Sequence, residues 1–185
     1  AYLEDGDWAA VTRDAANIFD AYGLPVQRVV RTIAVEADLG SKAGYRHFMA
    51  KEIHEQPAIA AAIAHACIDP ETGRVRLPVE ALDWAGVPWV TLVACGTAHY
   101  ACLVAQYWFE QVARLPAAVD IASEFRYRDP ALPPGGVAIF VSQSGETADT
   151  LAALRFAREA GQTIVAVVNV ETSSIAREAD IVLPI

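Results

Sequence analysis

The sequence predicts an α/β fold: a parallel sheet with helices on both faces, preceded by a partial β meander. Two observations carry this prediction. From Trp89 onward, short apolar runs alternate with helical stretches, which is typical of strands buried on both faces of a parallel sheet. Before residue 31, short apolar runs are instead separated by turn signals at the spacing of antiparallel strands.

The composition fits one globular domain, or one domain with an appended piece. Of the 185 residues, 54% are hydrophobic and 20% charged, which excludes disordered, collagen-like and coiled-coil classes. The 14 basic and 23 acidic residues give a net charge of −9. This balance argues against nucleic-acid or anionic-membrane partners, because both require a basic face. Any anionic ligand is therefore expected to be held by backbone amides and hydroxyl groups.

Cysteine usage indicates a reducing compartment, which we interpret as the cytoplasm. Cys67, Cys95 and Cys102 are odd in number and form no C-x-x-C pair, so they are expected to pack as small hydrophobic residues. The uncharged stretch Trp84–Phe109 is long enough to span a bilayer. Glycine, proline and polar residues interrupt it, which favours a strand, a turn and a helix. The first residues carry no secretory signal pattern.

The first thirty residues are predicted to be the end of a separate β unit. Apolar runs at Trp8–Thr12, Asn17–Phe19 and Val26–Val30 predict three short antiparallel strands. Three such strands are too few for an independent domain. Residues 32–44 are rich in acidic residues, serine and glycine and predict a linker.

From Tyr45 the hydrophobic period becomes helical. Pro57 interrupts this period, which predicts either a kink or two helices that meet near Gln56. Three histidines share one face of the stretch: His47, His54 and His65. The first two are about 10 Å apart along a helix, too far for one ion, so no metal site is predicted.

The remaining chain alternates between strand and helix. The predicted strands are Trp89–Ala94, Ala118–Ile121, Val137–Val141, Thr163–Val168 and Ile181–Leu183. Helices are predicted from the first of these strands to Arg114, from Ala148 to Ala160, and over Ser173–Glu178. We expect the first, third and fourth of these strands to be adjacent and parallel.

Two loops are candidates for ligand binding, and Ser142-Gln143-Ser144-Gly145-Glu146-Thr147 has the more specific pattern. We call it the serine loop. It follows a buried strand, and parallel sheets bind ligands at the carboxyl ends of their strands. Its hydroxyls can donate to phosphate oxygens, Gly145 permits close backbone approach, and Thr147 occupies the N-cap position of the next helix. No lysine follows the glycine, so a sugar phosphate suits the loop better than a nucleotide. The alternative interpretation is an ordinary capping turn, with Glu146 favouring the first helical turn.

The second loop, Cys95-Gly96-Thr97-Ala98, follows the first strand of the sheet in the same manner. Gly96 and Thr97 are expected to face the ligand from the side opposite the serine loop. Cys95 is interpreted as a packing residue rather than a nucleophile, because it ends an apolar strand and no base can be placed beside it. Four aromatic residues are likewise interpreted as packing residues, with a sugar platform as the alternative: Trp84, Trp89, Tyr107 and Trp108.

Four segments resemble the sugar-isomerase (SIS) domain of the glutamine–fructose-6-phosphate aminotransferase family. They are Tyr45–Pro57 (YRHFMAKEIHEQP), Ala94–Thr97 (ACGT), Ala122–Arg128 (ASEFRYR) and Ser142–Leu151 (SQSGETADTL). The resemblance implies an SIS-type sheet, similar to flavodoxin and Rossmann sheets. It also implies three parts: residues 1–31 as the remnant of a glutaminase domain, 32–44 as a linker, and 45–185 as the first SIS domain.

The resemblance also implies a function. This family makes glucosamine 6-phosphate from fructose 6-phosphate and glutamine-derived ammonia, with no metal or organic cofactor. Its phosphate-binding positions carry over to Thr97, Ser142, Gln143, Ser144 and Thr147, with Gly96 and Ala98 beside them in the first loop. Ala98 stands where a serine is common. The family's glutaminase nucleophile and isomerase acid–base groups match no residue here, so this chain alone is expected to be inactive.

The family's SIS halves form dimers, so the resemblance implies a homodimer. Two alternatives remain open: a non-catalytic sugar-phosphate sensor and a stand-alone sugar-phosphate isomerase. The strand-like N-terminal region disfavours both, and the net charge of −9 also disfavours a DNA-binding sensor.

Overall fold

The N-terminal residues form a two-stranded hairpin rather than a three-stranded meander. The computed structural model describes residues 3–29, 41–77 and 82–185 and divides the chain into two compact units, 1–56 and 57–185. In the first unit, β1 (Trp8–Val11) pairs antiparallel with β2 (Ala16–Phe19). The third predicted strand is wrong within the described residues, which end at 29: only one bridge, from Phe19 to Pro25, follows β2. The amide of Val26 still donates to the carbonyl of Ile18 at 2.9 Å, but no further bridge follows in residues 26–29.

A single helix, α1 (Phe48–Cys67), contains Pro57. The predicted alternative of two separate helices is therefore wrong. Pro57 removes only one backbone hydrogen bond, and the helix continues on both sides of it. Near the helix start, Lys51 is buried, and its Nζ donates to the carbonyl of Ser41 at 2.8 Å. Most of the predicted linker, up to residue 40, lies outside the described residues.

The second unit is built on a five-stranded parallel sheet of order β4-β3-β5-β6-β7. Every neighbouring pair is parallel, so the predicted parallel, adjacent arrangement of the three central strands is confirmed. Its strands are β3 (Val90–Ala94), β4 (Ala117–Ile121), β5 (Val137–Ser142), β6 (Thr163–Val168) and β7 (Ile181–Pro184).

Helices cover both faces of this sheet, as predicted. Alternate residues of each strand point to opposite faces. On one face, Val90, Leu92 and Ala94 pack with Cys102 of α2. On the other face, Val93 and Phe140 share a core with three further helices. The four helices are α2 (Gly96–Trp108), α3 (Ala122–Arg128), α4 (Ala148–Glu159) and α5 (Ser174–Glu178).

Helix α3 was not predicted from hydrophobic periodicity. Only Ala122 and Phe125 of its seven residues are buried, and the other five are a serine, a tyrosine and three charged residues. Phe125 meets Phe156 of α4 edge to face, with ring centroids 5.6 Å apart. This contact packs α3 against α4, but two buried positions in seven residues make too short an apolar pattern to be recognised.

In the uncharged stretch 84–109, the predicted strand and helix are confirmed as β3 and α2, and an unpredicted 3₁₀ turn (Trp84–Gly86) precedes them. Within the part of the chain that the structure describes, no helix is both long and apolar enough to cross a bilayer. Trp84 packs against the core, but Tyr107 and Trp108 do not: their exposed fractions are 61% and 63%. The expected packing of these two aromatic residues is therefore wrong within this chain.

Candidate functional site

The two candidate loops lie side by side at the carboxyl edge of the sheet. Strands β3 and β5 are hydrogen-bonded neighbours with Ala94 opposite Val141, so the residues that follow them emerge next to each other. Between them lies a pocket of about 250 Å³. Its lining residues are Cys95, Thr97, Ala98, Val141, Ser142, Gln143, Ser144, Thr147 and Thr150. The structure thus brings six of the seven predicted site residues to one pocket.

Gly96, the seventh predicted site residue, is not among the residues that line the pocket. It is the first residue of α2 and has φ +59°, a left-handed conformation that glycine adopts without strain. A Cβ added there would meet nothing within 4 Å. Gly96 therefore shapes the turn from β3 into α2 rather than making room for a ligand.

The serine loop is organised by its own hydroxyl groups. The Ser142 Oγ accepts a hydrogen bond from the amide of Gly145 at 3.1 Å and lies 3.2 Å from the Thr147 Oγ1. The Ser144 Oγ accepts from the amide of Glu146 at 3.2 Å. Each hydroxyl that accepts from an amide keeps its own proton as a donor. The loop therefore holds hydroxyl donors in place at the pocket.

Thr147 occupies the N-cap position of α4, as predicted, but its side chain caps nothing. The predicted side-chain cap is wrong, because the hydroxyl faces Ser142 instead. The first hydrogen bond of the helix runs from the amide of Leu151 to the carbonyl of Thr147, at 2.9 Å. The amides of Ala148, Asp149 and Thr150 consequently have no acceptor within the helix, and they form its electropositive end.

A second segment, residues 169–175, braces the serine loop. The amide of Asn169 donates to the carbonyl of Gln143 at 3.2 Å, and the amide of Ile175 donates to the carbonyl of Gly145 at 3.0 Å. The Glu146 carboxylate accepts from the amide of Ser174 at 2.8 Å. Glu146 therefore joins the loop to the start of α5, in addition to any effect on the first turn of α4.

An ion pair links α4, which follows the serine loop, to α5, which begins in the bracing segment. Arg155 of α4 donates two hydrogen bonds to the carboxylate of Glu178 in α5, at 2.9 and 2.6 Å. These bonds lower the pKa of Glu178 below its usual range, because the guanidinium stabilises the ionised carboxylate. The docking of α5 onto α4 is therefore favoured at neutral pH.

Gly145 is the tightest point of the loop. It has φ +66°, and a Cβ added there would lie 1.9 Å from the Oγ of Ser173. Ser173 is fully buried, and its Oγ accepts from the amide of Ala176 at 3.3 Å, which caps α5. The close approach that the sequence predicts at Gly145 is thus made to the protein itself.

All nine residues that line the pocket are uncharged. Cys95 is half-buried there and also packs against the core. Cys102 lies in the core beneath α2, where burial raises the pKa of its thiol to about 11. Among the described residues, no three or more His, Cys, Asp or Glu side chains come together as a metal site.

Thr150 and Val141 line the pocket but were missed by sequence reasoning. Val141 is the penultimate residue of β5, and its place in a continuous apolar run gave it the pattern of a core residue. Thr150 lies in the first turn of α4, and nothing in the sequence distinguishes it from an ordinary helical residue. Only its spacing from Thr147 could have identified Thr150, because residues three positions apart lie on the same face of a helix.

The Gly145→Ala substitution tests the brace. We expect it to destabilise the chain and to distort the pocket, because the new methyl group collides with Ser173 and φ stays positive. The matched control is Gly161→Ala, where φ is +76° but the added Cβ would meet nothing within 4 Å. The control should lose only about 1–2 kcal/mol, the cost of the left-handed conformation. Chemical denaturation of both variants measures the difference, and equal losses would contradict the brace.

Comparisons with known proteins place this chain in a family. The SIS domain family model matches residues 89–185. Two curated relatives are glutamine–fructose-6-phosphate aminotransferases (isomerizing). The one from Bradyrhizobium diazoefficiens is 56% identical over 185 residues, and the one from Zymomonas mobilis is 50% identical over 184 residues. Each alignment covers 100% of this chain, and the chain spans 30% of the length of each relative.

Among solved structures, the C-terminal domain of glucosamine-fructose-6-phosphate aminotransferase from Francisella tularensis is similar to this chain, with a TM-score of 0.72 and 39% sequence identity. The similarity covers 78% of this chain and 41% of that one. It extends beyond the residues that the family model matches. The parallel sheet, the serine loop at its carboxyl edge and the family match together show that this chain belongs to the SIS domain family.

Proposed function

We propose that this chain is the part of a glutamine–fructose-6-phosphate aminotransferase that binds fructose 6-phosphate. The whole enzyme would convert fructose 6-phosphate and glutamine into glucosamine 6-phosphate and glutamate. The relatives that carry this name align with every part of the chain. The observation that carries the proposal is the pocket between the loops that follow β3 and β5, which gathers hydroxyl groups beside the free amides of α4.

In this proposal the phosphate is held from two sides. Thr97 donates from the first loop, while Ser142, Ser144 and Thr147 donate from the second, where the side-chain amide of Gln143 also lies. The free amides at the start of α4 add partial positive charge. A phosphate needs such neutral donors here, because no basic side chain lines the pocket.

The pocket's size suits a small ligand. Its volume of about 250 Å³ lies just below the range of about 300–1,000 Å³ that is usual for drug-sized molecules. Ala98 contributes only a methyl group to the lining, so we propose that one hydroxyl contact common in the family is absent here. Gly96 serves the site indirectly, through the turn that places Thr97.

We propose that this chain binds substrate and leaves bond breaking to other parts of the enzyme. The residues that line the pocket carry no carboxylate, imidazole or amine, and those are the usual general acids and bases. In this proposal residues 1–31 end a glutaminase domain that supplies glutamine-derived ammonia, and residues 45–185 form the first SIS domain. Neither a metal nor an organic cofactor takes part.

We also propose that the protein works in the cytoplasm. Its three cysteines are all free. A reducing compartment accounts for free thiols more simply than an oxidising one.

A second copy of this chain is the proposed partner of helix α2. One face of α2 packs on the sheet through Ala98, Cys102 and Ala105. The opposite face carries a second apolar stripe at helical spacing: Tyr100, Leu103, Val104, Tyr107 and Trp108, all exposed. A helix that is apolar on two faces is typically buried on both. The family's dimeric SIS halves make a second copy the natural occupant.

The phosphate proposal predicts a specific pattern of affinities. Fructose 6-phosphate should bind, and unphosphorylated fructose should bind far more weakly. Ser142→Ala and Ser144→Ala should each lower the affinity about tenfold or more, because each removes a hydrogen bond to a charged group, worth about 1.5–3 kcal/mol. Thr147→Ala should also weaken binding, but with little loss of stability, since its side chain caps nothing. Calorimetry measures each affinity.

The matched control for these serine variants is Cys95→Ser, which changes a half-buried residue in the same pocket. It should leave the affinity nearly unchanged, because Cys95 is assigned to packing. Equal affinities for fructose and its phosphate, or serine variants that bind like the parent chain, would identify the loop as an ordinary capping turn.

The dimer proposal predicts that Trp108→Ser shifts the chain toward monomer. The substitution removes the largest apolar side chain from the exposed stripe of α2, whereas Tyr127→Ser removes an exposed aromatic residue elsewhere and serves as the control. Sedimentation velocity over a range of concentrations measures the effect. A parent chain that stays monomeric at the highest concentration would contradict the proposal.

A further inference from the structure

Thr150 carries a buried hydroxyl group that no protein atom satisfies. Thr150 is one of the residues that line the pocket, and it is only 1% exposed. Its Oγ1 has no hydrogen-bond partner, one of three buried side-chain polar atoms in that state among the described residues. The other two, on Thr91 and Gln162, belong to residues that do not line this pocket.

An unpaired buried hydroxyl is unfavourable for folding. Threonine in a helix can avoid the penalty by donating to the carbonyl three or four residues earlier, but Thr150 makes no such bond. Valine would fill the same volume with no polar atom to satisfy. The hydroxyl therefore does not serve the packing of α4, and its location at the pocket suggests that its partner is a ligand.

We propose that Thr150 is a further ligand-binding residue of this pocket, whose hydroxyl donates to an oxygen of the bound phosphate. This inference rests on the proposed function. The amide of Thr150 is one of the three at the start of α4 without an acceptor in the helix, so this residue offers the anion both a backbone and a side-chain donor.

Thr150 differs from the other hydroxyls of the site in what binding costs it. The Ser142 hydroxyl already contacts the Thr147 hydroxyl at 3.2 Å, so a ligand must share or replace that interaction. Thr150 has no hydrogen bond to give up, and rotation about its Cα–Cβ bond turns the hydroxyl between staggered positions. Its full hydrogen bond is thus gained on binding.

The test is Thr150→Val, which replaces a hydroxyl by a methyl group of similar size. We expect the affinity for fructose 6-phosphate to fall about tenfold, while the melting temperature of the ligand-free chain stays the same or rises. The matched control is Thr91→Val in β3, where an unpaired hydroxyl is buried away from the pocket. The control should have the same effect on melting and no effect on affinity.

A third variant, Thr150→Ser, keeps the hydroxyl and loses the methyl group. It should retain most of the affinity, and a loss as large as that of Thr150→Val would assign the effect to packing and overturn the inference. A lower melting temperature in Thr150→Val would overturn it as well, because the hydroxyl would then be structural.

Ser144→Ala in the same titrations separates this inference from the proposed function. If the parent chain binds fructose 6-phosphate and Ser144→Ala weakens binding but Thr150→Val does not, only the role of Thr150 is overturned. If the parent chain does not bind fructose 6-phosphate, the proposed function and this inference both fall.

Discussion

The parallel pairing of β3 with β5 is the constraint on which the site depends. Because the two strands run in the same direction and in register, with Ala94 opposite Val141, both loops that follow them open at the same edge of the sheet. An antiparallel pair would place the two loops at opposite ends. The pairing is secured by burial on both faces, since α2 covers one side and α3, α4 and α5 the other. The pocket is therefore a consequence of how the core is packed.

The proposed anion site at this edge uses no basic side chains. The overall charge of −9 provides no general attraction for phosphate, so the donors must be local: hydroxyl groups on the loops and unpaired amides at the start of α4. Such donors work only when they are held in place. The brace from residues 169–175 does this, because Glu146 and the carbonyls of Gln143 and Gly145 all accept bonds from that segment.

The sequence was sufficient to predict what depends on local pattern. Apolar runs located the strands of the parallel sheet, and polar loops at their ends located six of the nine residues that line the pocket. What could not be predicted depends on contacts between distant residues. The hydroxyl of Thr147 faces Ser142 rather than capping its helix, and Gly145 is required by Ser173, which lies 28 positions further along the chain. Short or weakly apolar elements were also misjudged: α3 was missed, and a single bridge at Pro25 stands where a third strand was expected.

The central claim is that the serine loop and the first amides of α4 together bind a phosphate group. Amide chemical shifts measured by NMR during titration with fructose 6-phosphate test it most directly, because backbone donors report their own hydrogen bonding. The account predicts the largest shifts at Gln143, Ser144 and the amides of Ala148–Thr150, smaller shifts at Thr97, and almost none with unphosphorylated fructose. Shifts centred elsewhere in the chain, or equal shifts with both sugars, would contradict it.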